Sequence, residues 1–227
     1  GPRSTEEHLN FFSQKQRQKL YQSALDTLVT KNLVFGCRCS RADLEISNTQ
    51  NGYNGTCIQK NNPLSENNVQ WRIKSSDDAS IQLHDLIKGK IQTALSPSMR
   101  YFQVRKKNGD PAYQICSLMD DMHFGVDMIV RGEDLWDSSI AQILLAESLE
   151  TETFSKIKFF HHPLLKNEEN LKLSKTAGDT SIHYLRNNGH DPEEIWQMLA
   201  RRLNLKENPQ NWQEIYHLIS QNWLNLP

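Results

Sequence analysis

The chain has 227 residues, 37% of them hydrophobic, with a mean hydropathy of −0.67. Its 26 Lys and Arg against 27 Asp and Glu leave a formal net charge of −1, which excludes coating nucleic acid through bulk charge but not through a local basic patch. The sequence holds no run of 18 apolar residues and no apolar stretch behind Gly1-Pro2-Arg3-Ser4, so no transmembrane helix and no signal peptide is expected. Four cysteines without a secretory leader predict a reducing cytoplasm, and the length predicts one large domain or two small ones.

In chain order, Ser13 is placed to cap a helix running to about Asn32, with Leu20, Ala24, Leu25, Leu28 and Val29 on one face. Leu33-Val34-Phe35 opens an extended segment carrying Cys37 and Cys39, and Ser40-Arg41-Ala42-Asp43 can open a helical turn. Polar loops follow at 48–54 and 61–68. Val69–Ile73 and Tyr101–Arg105 read as strands and Ile81–Leu83 as a weaker one. Asn108-Gly109 is a hairpin-turn signal. Residues 36–110 therefore read as a small α+β unit. Its basic run, Arg100, Arg105, Lys106 and Lys107, suits phosphate contacts or a solvated hairpin equally.

From Pro111 the texture changes to longer apolar runs. Pro111–Asp137 reads as a strand and short helix, then Gly125, then the apolar run Val126–Val130, stopped by Arg131-Gly132-Glu133-Asp134. Such a run predicts a buried parallel strand, and charge at its carboxyl end lies where open α/β sheets bind ligands. Asp137 is placed to cap a helix over 138–149 with Ile140, Ile143, Leu144, Ala146 and Leu149 on its apolar face, and Ile157–Phe160 is strand-like. Asp191-Pro192-Glu193-Glu194 combines a cap, a proline and acids, and starts a helix over 193–203; a last helix spans 212–222.

Two groups carry chemistry. Cys37 and Cys39 stand two apart on an extended segment, so their thiols can converge on one ion, and Cys57 lies where a loop can fold back to them. Closed zinc sites take four ligands. Three thiols are present, and Tyr53, Asp43 or Glu45 can supply an oxygen; the competing reading is three buried cysteines packed as small hydrophobes. Cys116 belongs to an apolar segment and reads as core. The second group is Lys172-Leu173-Ser174-Lys175, whose two lysines can close on a triphosphate; by spacing alone it is an ordinary surface loop.

Taken together, these segments resemble the glutamyl subgroup of class I aminoacyl-tRNA synthetases, and within it the shortened branch that modifies queuosine in tRNA(Asp). The matching pieces run collinearly from about residue 13 to 176. They are Gln14–Arg17 through Tyr21, Gly36-Cys37-Arg38-Cys39-Ser40-Arg41, Gly52-Tyr53 with Cys57, and Asn108-Gly109 with Ala112-Tyr113-Gln114. Asp120-Asp121 through Val126, Val130–Leu135, His161 with Pro163-Leu164, and Lys172–Lys175 follow.

The resemblance implies an α/β fold: a class I synthetase Rossmann-like catalytic domain, represented by its second half plus an inserted zinc-containing α+β unit, with a helical C-terminus. The implied segments are 1–35 as a helix of the core, 36–110 as the zinc-binding and tRNA-facing insertion, 111–165 as the second Rossmann half, and 166–227 as the KLSK loop and C-terminal helices. Cys37, Cys39, Tyr53 and Cys57 become the ligands of a structural Zn2+. Tyr113 and Arg131 become the glutamate-binding pair, and an Arg fork suits a carboxylate. Lys172 and Lys175 become catalytic, Lys175 contacting ATP with its Mg2+.

The implied activity is activation of glutamate and its transfer to the queuosine base of tRNA(Asp), by a monomeric cytoplasmic enzyme. Two other outcomes are a catalytic fragment charging tRNA(Glu) and a non-catalytic, zinc-stapled tRNA-binding paralogue. The sequence holds no HIGH-type motif, so the first Rossmann half, with the amino-group contacts, is expected upstream of residue 1. About 50 residues follow Lys175, fewer than the anticodon-binding region of the tRNA(Glu) enzymes needs, and the Tyr53–Cys57 spacing also points to the queuosine branch.

Overall fold

The computed structural model describes residues 2–40, 42–43, 52–76, 79–164, 181–203 and 205–222. Ser13 caps as expected, its Oγ accepting from the Lys15 amide, but the run starts as a 3-10 turn over Gln14–Arg17 before α1 (Gln18–Thr30). Arg17 sits at the junction with φ −112°, because its guanidinium turns inward to the Phe11 and Phe12 carbonyls and to Asp120. The buried stripe of α1 is Tyr21, Ala24, Leu25 and Leu28, the spacing of one helical face. Val29, expected there, is exposed, and Tyr21 takes its place.

Five strands follow: β1 (Val34–Cys37), β2 (Gln70–Ile73), β3 (Ile81–Asp85), β4 (Gly89–Thr93) and β5 (Gln103–Arg105). β1, β2 and β5 form an antiparallel sheet in that order. The hairpin β3–β4 leaves it and joins a second sheet, so the strands of 36–110 divide between two sheets. β4 was not expected. Gly89-Lys90-Ile91-Gln92-Thr93 has one apolar residue, which suffices for an exposed edge strand. The Asn108-Gly109 turn is present, with Gly109 at φ +94° and the Lys106 amide donating to the Asp110 carbonyl.

Pro111 makes only a single bridge back to Arg105, in place of the expected strand, and α2 (Tyr113–His123) begins at once. α2 ends because Gly125 takes φ +64° and the Val126 amide reaches the Asp121 carbonyl, closing a Schellman cap. That cap consumes Val126, so β6 runs over Met128–Gly132, two residues later than the apolar run suggested. Arg131 therefore lies inside the strand.

A 3-10 turn over Glu133–Leu135 then starts α3 (Trp136–Ser148) earlier than expected. Asp137 sits within the helix instead of capping it, and accepts the hydroxyls of Ser96 and Ser98. Residues 139–146 of α3 are all buried, so the helix has no single apolar face. β7 (Lys158–His162) completes the second sheet, in the order β4-β3-β7-β6, with β3, β7 and β6 parallel. β6 is thus an edge strand, not a central one: Ile129 faces inward while Met128 and Val130 are exposed.

One cluster of buried side chains joins α1, both sheets, α2 and α3; its centre includes Tyr21, Leu83, Ile115, Leu118, Leu145, Phe154 and Phe159. A smaller cluster stands beside it: Phe35, Cys37, Tyr53 and Cys57, packed by Cys39, Ile58 and Tyr101. Residues 1–162 make one compact unit and 163–227 a second. The second unit holds α4 (Ile182–Asn187), α5 (Pro192–Arg202) and α6 (Trp212–Asn222), the expected helical C-terminus plus a short helix that sequence did not signal. Asp191 caps α5 by accepting from the Glu194 amide at 3.0 Å. Among the described residues no helix is long and apolar enough to cross a membrane.

Candidate functional site

Two clusters stand out, both in the first unit. In the first, the thiols of Cys37, Cys39 and Cys57 lie within 4.8 Å of one another, although Cys39 falls just past the end of β1. Cys39 Sγ is 3.5 Å from Cys57 Sγ. The Tyr53 hydroxyl is 3.4 Å from Cys37 Sγ and 4.0 Å from Cys39 Sγ, so its oxygen sits among the sulfurs. It accepts from the Cys57 amide at 2.8 Å. The Tyr53 ring is held by Phe35, by Tyr101 and by the Arg72 guanidinium 4.2 Å above it.

Of the two other oxygen donors considered, Asp43 instead makes a capping box with Ser40, and Glu45 lies outside the described residues. Burial alone pushes the Cys37 thiol up. Hydrogen bonds from Tyr53, the Cys39 backbone and Gln70, with the Arg72 charge, outweigh it and bring Cys37 down to about 7. Cys39 is pushed up to about 11, by burial first and then by its neighbour Cys57. One sulfur, that of Cys37, is thus ready as a thiolate, while Cys39 gives up its proton only to a cation. Three soft thiols and an oxygen converging in a half-buried pocket fit a metal ion of the zinc type.

The second cluster lies where the parallel strands end. Asp85 is the last residue of β3, and Arg131 and His161 are paired penultimate residues of β6 and β7. Alternation puts Ile129 and Arg131, and beside them Phe159 and His161, on the face toward α3. α3 presents Ser139 and Gln142 to them, one turn apart. Arg131 Nη1 lies 3.1 Å from Gln142 Oε1 and 3.4 Å from Ser139 Oγ. Ser139 Oγ lies 2.7 Å from His161 Nε2, and His161 Nδ1 lies 2.8 Å from Asp85 Oδ2. Asp85 also accepts the amides of Ile87, Lys88 and His161.

Tyr113 opens α2 and is 54% exposed. Burial lowers the Arg131 pKa, and Tyr113 and Asp121 act electrostatically in the other direction, so all three share one neighbourhood. Burial also raises the Asp121 pKa. Among the described residues, four buried side-chain polar atoms lack a partner. Three of them, on Gln114, Asp121 and Gln142, lie on the two helices that flank Arg131.

The structure thus puts Tyr113 within electrostatic reach of Arg131, and brings Cys37, Cys39, Tyr53 and Cys57 together. Lys172 and Lys175 lie outside the described residues. Sequence reading assigned no role to Asp85, Ser139, Gln142 or His161. The available signal was two polar residues, Ser139 and Gln142, at helical spacing inside an otherwise apolar stretch. Of the basic run, Arg105 is stacked on Trp71 and bonded to the Gly109 carbonyl, and Lys107 donates to the Arg38 carbonyl.

A largely parallel sheet with polar groups at its carboxyl ends, flanked by helices, defines an α/β protein whose ligand site lies at that edge. The comparisons make it specific. The family described as tRNA synthetases class I (E and Q), catalytic domain, matches residues 5–223, and the chain belongs to that family.

A glutamyl-Q tRNA(Asp) synthetase of Methylococcus capsulatus is 32% identical over 189 residues, 82% of this chain and 59% of that protein. One from Thiobacillus denitrificans is 36% identical over 168 residues, 71% and 54%. A glutamate–tRNA ligase of Syntrophotalea carbinolica is 28% identical over 195 residues, 83% and 41%. The crystal structure of a glutamate–tRNA synthetase from Elizabethkingia anophelis shares the fold, with TM-score 0.69 at 21% identity over 96% of this chain and 50% of that one. The chain spans about three fifths or less of the length of these curated relatives.

Proposed function

We propose that this chain belongs to an ATP-dependent, glutamate-activating enzyme that passes glutamate to the queuosine base of tRNA(Asp). The observation that carries the reading is Arg131 at the carboxyl end of β6, beside Tyr113, in a chain of the glutamyl and glutaminyl class I family. Its Nη1 is held by Gln142 and Ser139, while Nε and Nη2 have no hydrogen bond among the described residues. That edge of a guanidinium pairs a carboxylate side-on with two parallel hydrogen bonds. We assign Arg131 to a carboxylate of glutamate and the Tyr113 hydroxyl to the same substrate.

In the reaction, a glutamate carboxylate oxygen attacks the α-phosphorus of ATP. The bond to the β-phosphate oxygen breaks and pyrophosphate leaves. A nucleophile on tRNA then takes the glutamyl group, and AMP departs. The protein's share is positioning, with charge neutralisation by Lys172 and Lys175 as pyrophosphate forms. Mg2+ travels with ATP and shields its phosphates.

Cys37, Cys39, Cys57 and Tyr53 would hold a structural Zn2+, which ties the segment after β1 to the 53–57 loop and takes no part in the chemistry. The Cys-x-Cys with Tyr-x-x-x-Cys pattern and the identities of 32% and 36% favour the queuosine branch over charging of tRNA(Glu). We place the enzyme in the cytoplasm as a monomer.

Three measurements test this. The full-length protein should catalyse glutamate-dependent ATP–pyrophosphate exchange without tRNA, and should load labelled glutamate onto queuosine-containing tRNA(Asp) but not onto tRNA(Glu). Absence of exchange overturns the enzyme reading; loading of tRNA(Glu) overturns the branch. Elemental analysis should find about one zinc per chain.

A further inference from the structure

Asp85, His161 and Ser139 stand in the spatial order of a hydrolytic triad, but they do not work as one. Ser139 is fully buried in the first turn of α3 and also lies 3.2 Å from the Leu135 carbonyl. His161 is 3% exposed, stacked on Phe159 and edge-on to Trp136. No acyl group can reach that hydroxyl. The chain of contacts instead ends on Arg131.

The proton positions follow from the partners. Asp85 is fully buried and takes four donors, two amides at Oδ1 and the His161 amide and ring at Oδ2. Burial raises its pKa, but those bonds outweigh it and keep it ionised. Burial keeps the His161 imidazole neutral against the pull of Asp85. The ring proton must then sit on Nδ1, facing the carboxylate, and Nε2 must accept. The Ser139 hydroxyl donates to Nε2 at 2.7 Å, a shorter contact than its 3.2 Å to the Leu135 carbonyl, and its oxygen lone pairs turn to the Arg131 Nη1 donor. Gln142 Oε1 takes the same nitrogen from the side. The donors of Arg131 Nη1, Ser139 Oγ and His161 Nδ1 thus point the same way, toward the Asp85 carboxylate.

We infer that Asp85, His161 and Ser139 are positioning residues, a directional hydrogen-bond relay that locks the guanidinium plane of Arg131 and so sets the affinity for the substrate carboxylate. The inference rests on Arg131 being the glutamate ligand. The relay explains why an ionised Asp, a His and a Ser are retained in the interior at the junction of β3, β7 and α3. An apolar trio would fill the space but would leave the arginine held by Gln142 alone. Orientation of a bidentate donor affects binding more than it affects the adenylyl-transfer step, which happens at a different atom of glutamate.

The test combines kinetics with NMR on the full-length protein. Ser139→Ala removes the donor to His161 without adding bulk, and should raise the KM for glutamate about tenfold in pyrophosphate exchange. The KM for ATP and the kcat should stay within about twofold. Ser139→Thr, which keeps the hydroxyl, should return most of the glutamate affinity, which a merely structural loss would not do. Long-range 1H–15N correlation should show neutral His161 above pH 7 with its proton on Nδ1.

A glutamate KM unmoved in Ser139→Ala, or a His161 proton on Nε2, overturns the relay. Arg131→Ala with an unchanged glutamate KM overturns the assignment of Arg131 itself, and the purpose of the relay with it. Loss of glutamate saturation in Arg131→Ala beside an unmoved Ser139→Ala overturns the relay alone.

Discussion

A single arginine discriminates a carboxylate only when its plane is fixed, because two parallel hydrogen bonds demand one orientation. Arg131 meets that requirement through one nitrogen and, among the described residues, leaves its Nε/Nη2 edge without a hydrogen bond. Lysine keeps the charge but not the fork. Arg131→Lys should therefore lower kcat/KM for glutamate by about tenfold to hundredfold, with thermal stability near wild type, as measured by pyrophosphate exchange and calorimetry. An unchanged kcat/KM would mean that charge alone suffices. Arg131 was visible in the sequence as the first charge after an apolar run. Its supports were not. Ser139 and Gln142 lie in a helix that reads as apolar, and Asp85 lies 46 residues upstream (131 − 85) on a strand whose partners are non-local.

The packing of one element on another repeats this logic with charge. Asp120 on α2 accepts from Arg17 Nε at 2.6 Å, from Gln14 Nε2 at 2.8 Å and from the Tyr21 hydroxyl, so one carboxylate ties the start of α1 to α2. The Arg17 and Asp120 side chains are 7% and 17% exposed. Removing one member of so buried a pair costs about 3 kcal/mol, so Asp120→Asn should lose roughly that much in urea unfolding at pH 7.

The pH dependence has a definite sign. Burial raises the Asp120 pKa, but Arg17, Tyr21 and Gln14 outweigh it and hold it below the ordinary value near 3.9. Its stabilisation is complete above that value and disappears as pH falls toward the depressed folded one. The gap between wild type and Asp120→Asn should thus shrink between pH 4 and pH 2; a gap constant with pH would show that the charge is irrelevant. At this scale sequence was informative where local chemistry decides. The caps at Ser13 and Asp191 and the turn at Gly109 are all in place. It was uninformative where an edge position relaxes the apolar pattern, as in β4, and it set β6 two residues early because the helix cap had taken Val126.

For the molecule as a whole, the informative fact is that the described residues of the first unit form two buried clusters and not one. The larger is aliphatic and aromatic, spans both sheets and three helices, and needs no ion. The smaller is Phe35, Cys37, Tyr53 and Cys57, with polar sulfur and phenol atoms where a core would hold hydrocarbon. Composition could announce that cluster, because Cys-x-Cys with a third cysteine is a local pattern. It could not announce that β3 and β4 depart for the other sheet, since strand partnership is set by distant residues.

Two clusters of different chemistry predict two levels of stability. A chelator that strips the proposed Zn2+ should remove amide-exchange protection from residues 35–39 and 53–62, while α3 and β7 keep theirs to within the experimental error. The mechanism is direct. Without a cation, Cys39 must hold its proton beside Cys57, Cys37 is half ionised near pH 7, and the cluster keeps only its aromatic contacts. Tyr53→Phe should weaken zinc retention yet preserve the stacking on Phe35, so its protection loss should appear only with chelator present. Uniform loss of protection across residues 1–162 on chelation would show instead that the two clusters fold as one cooperative body.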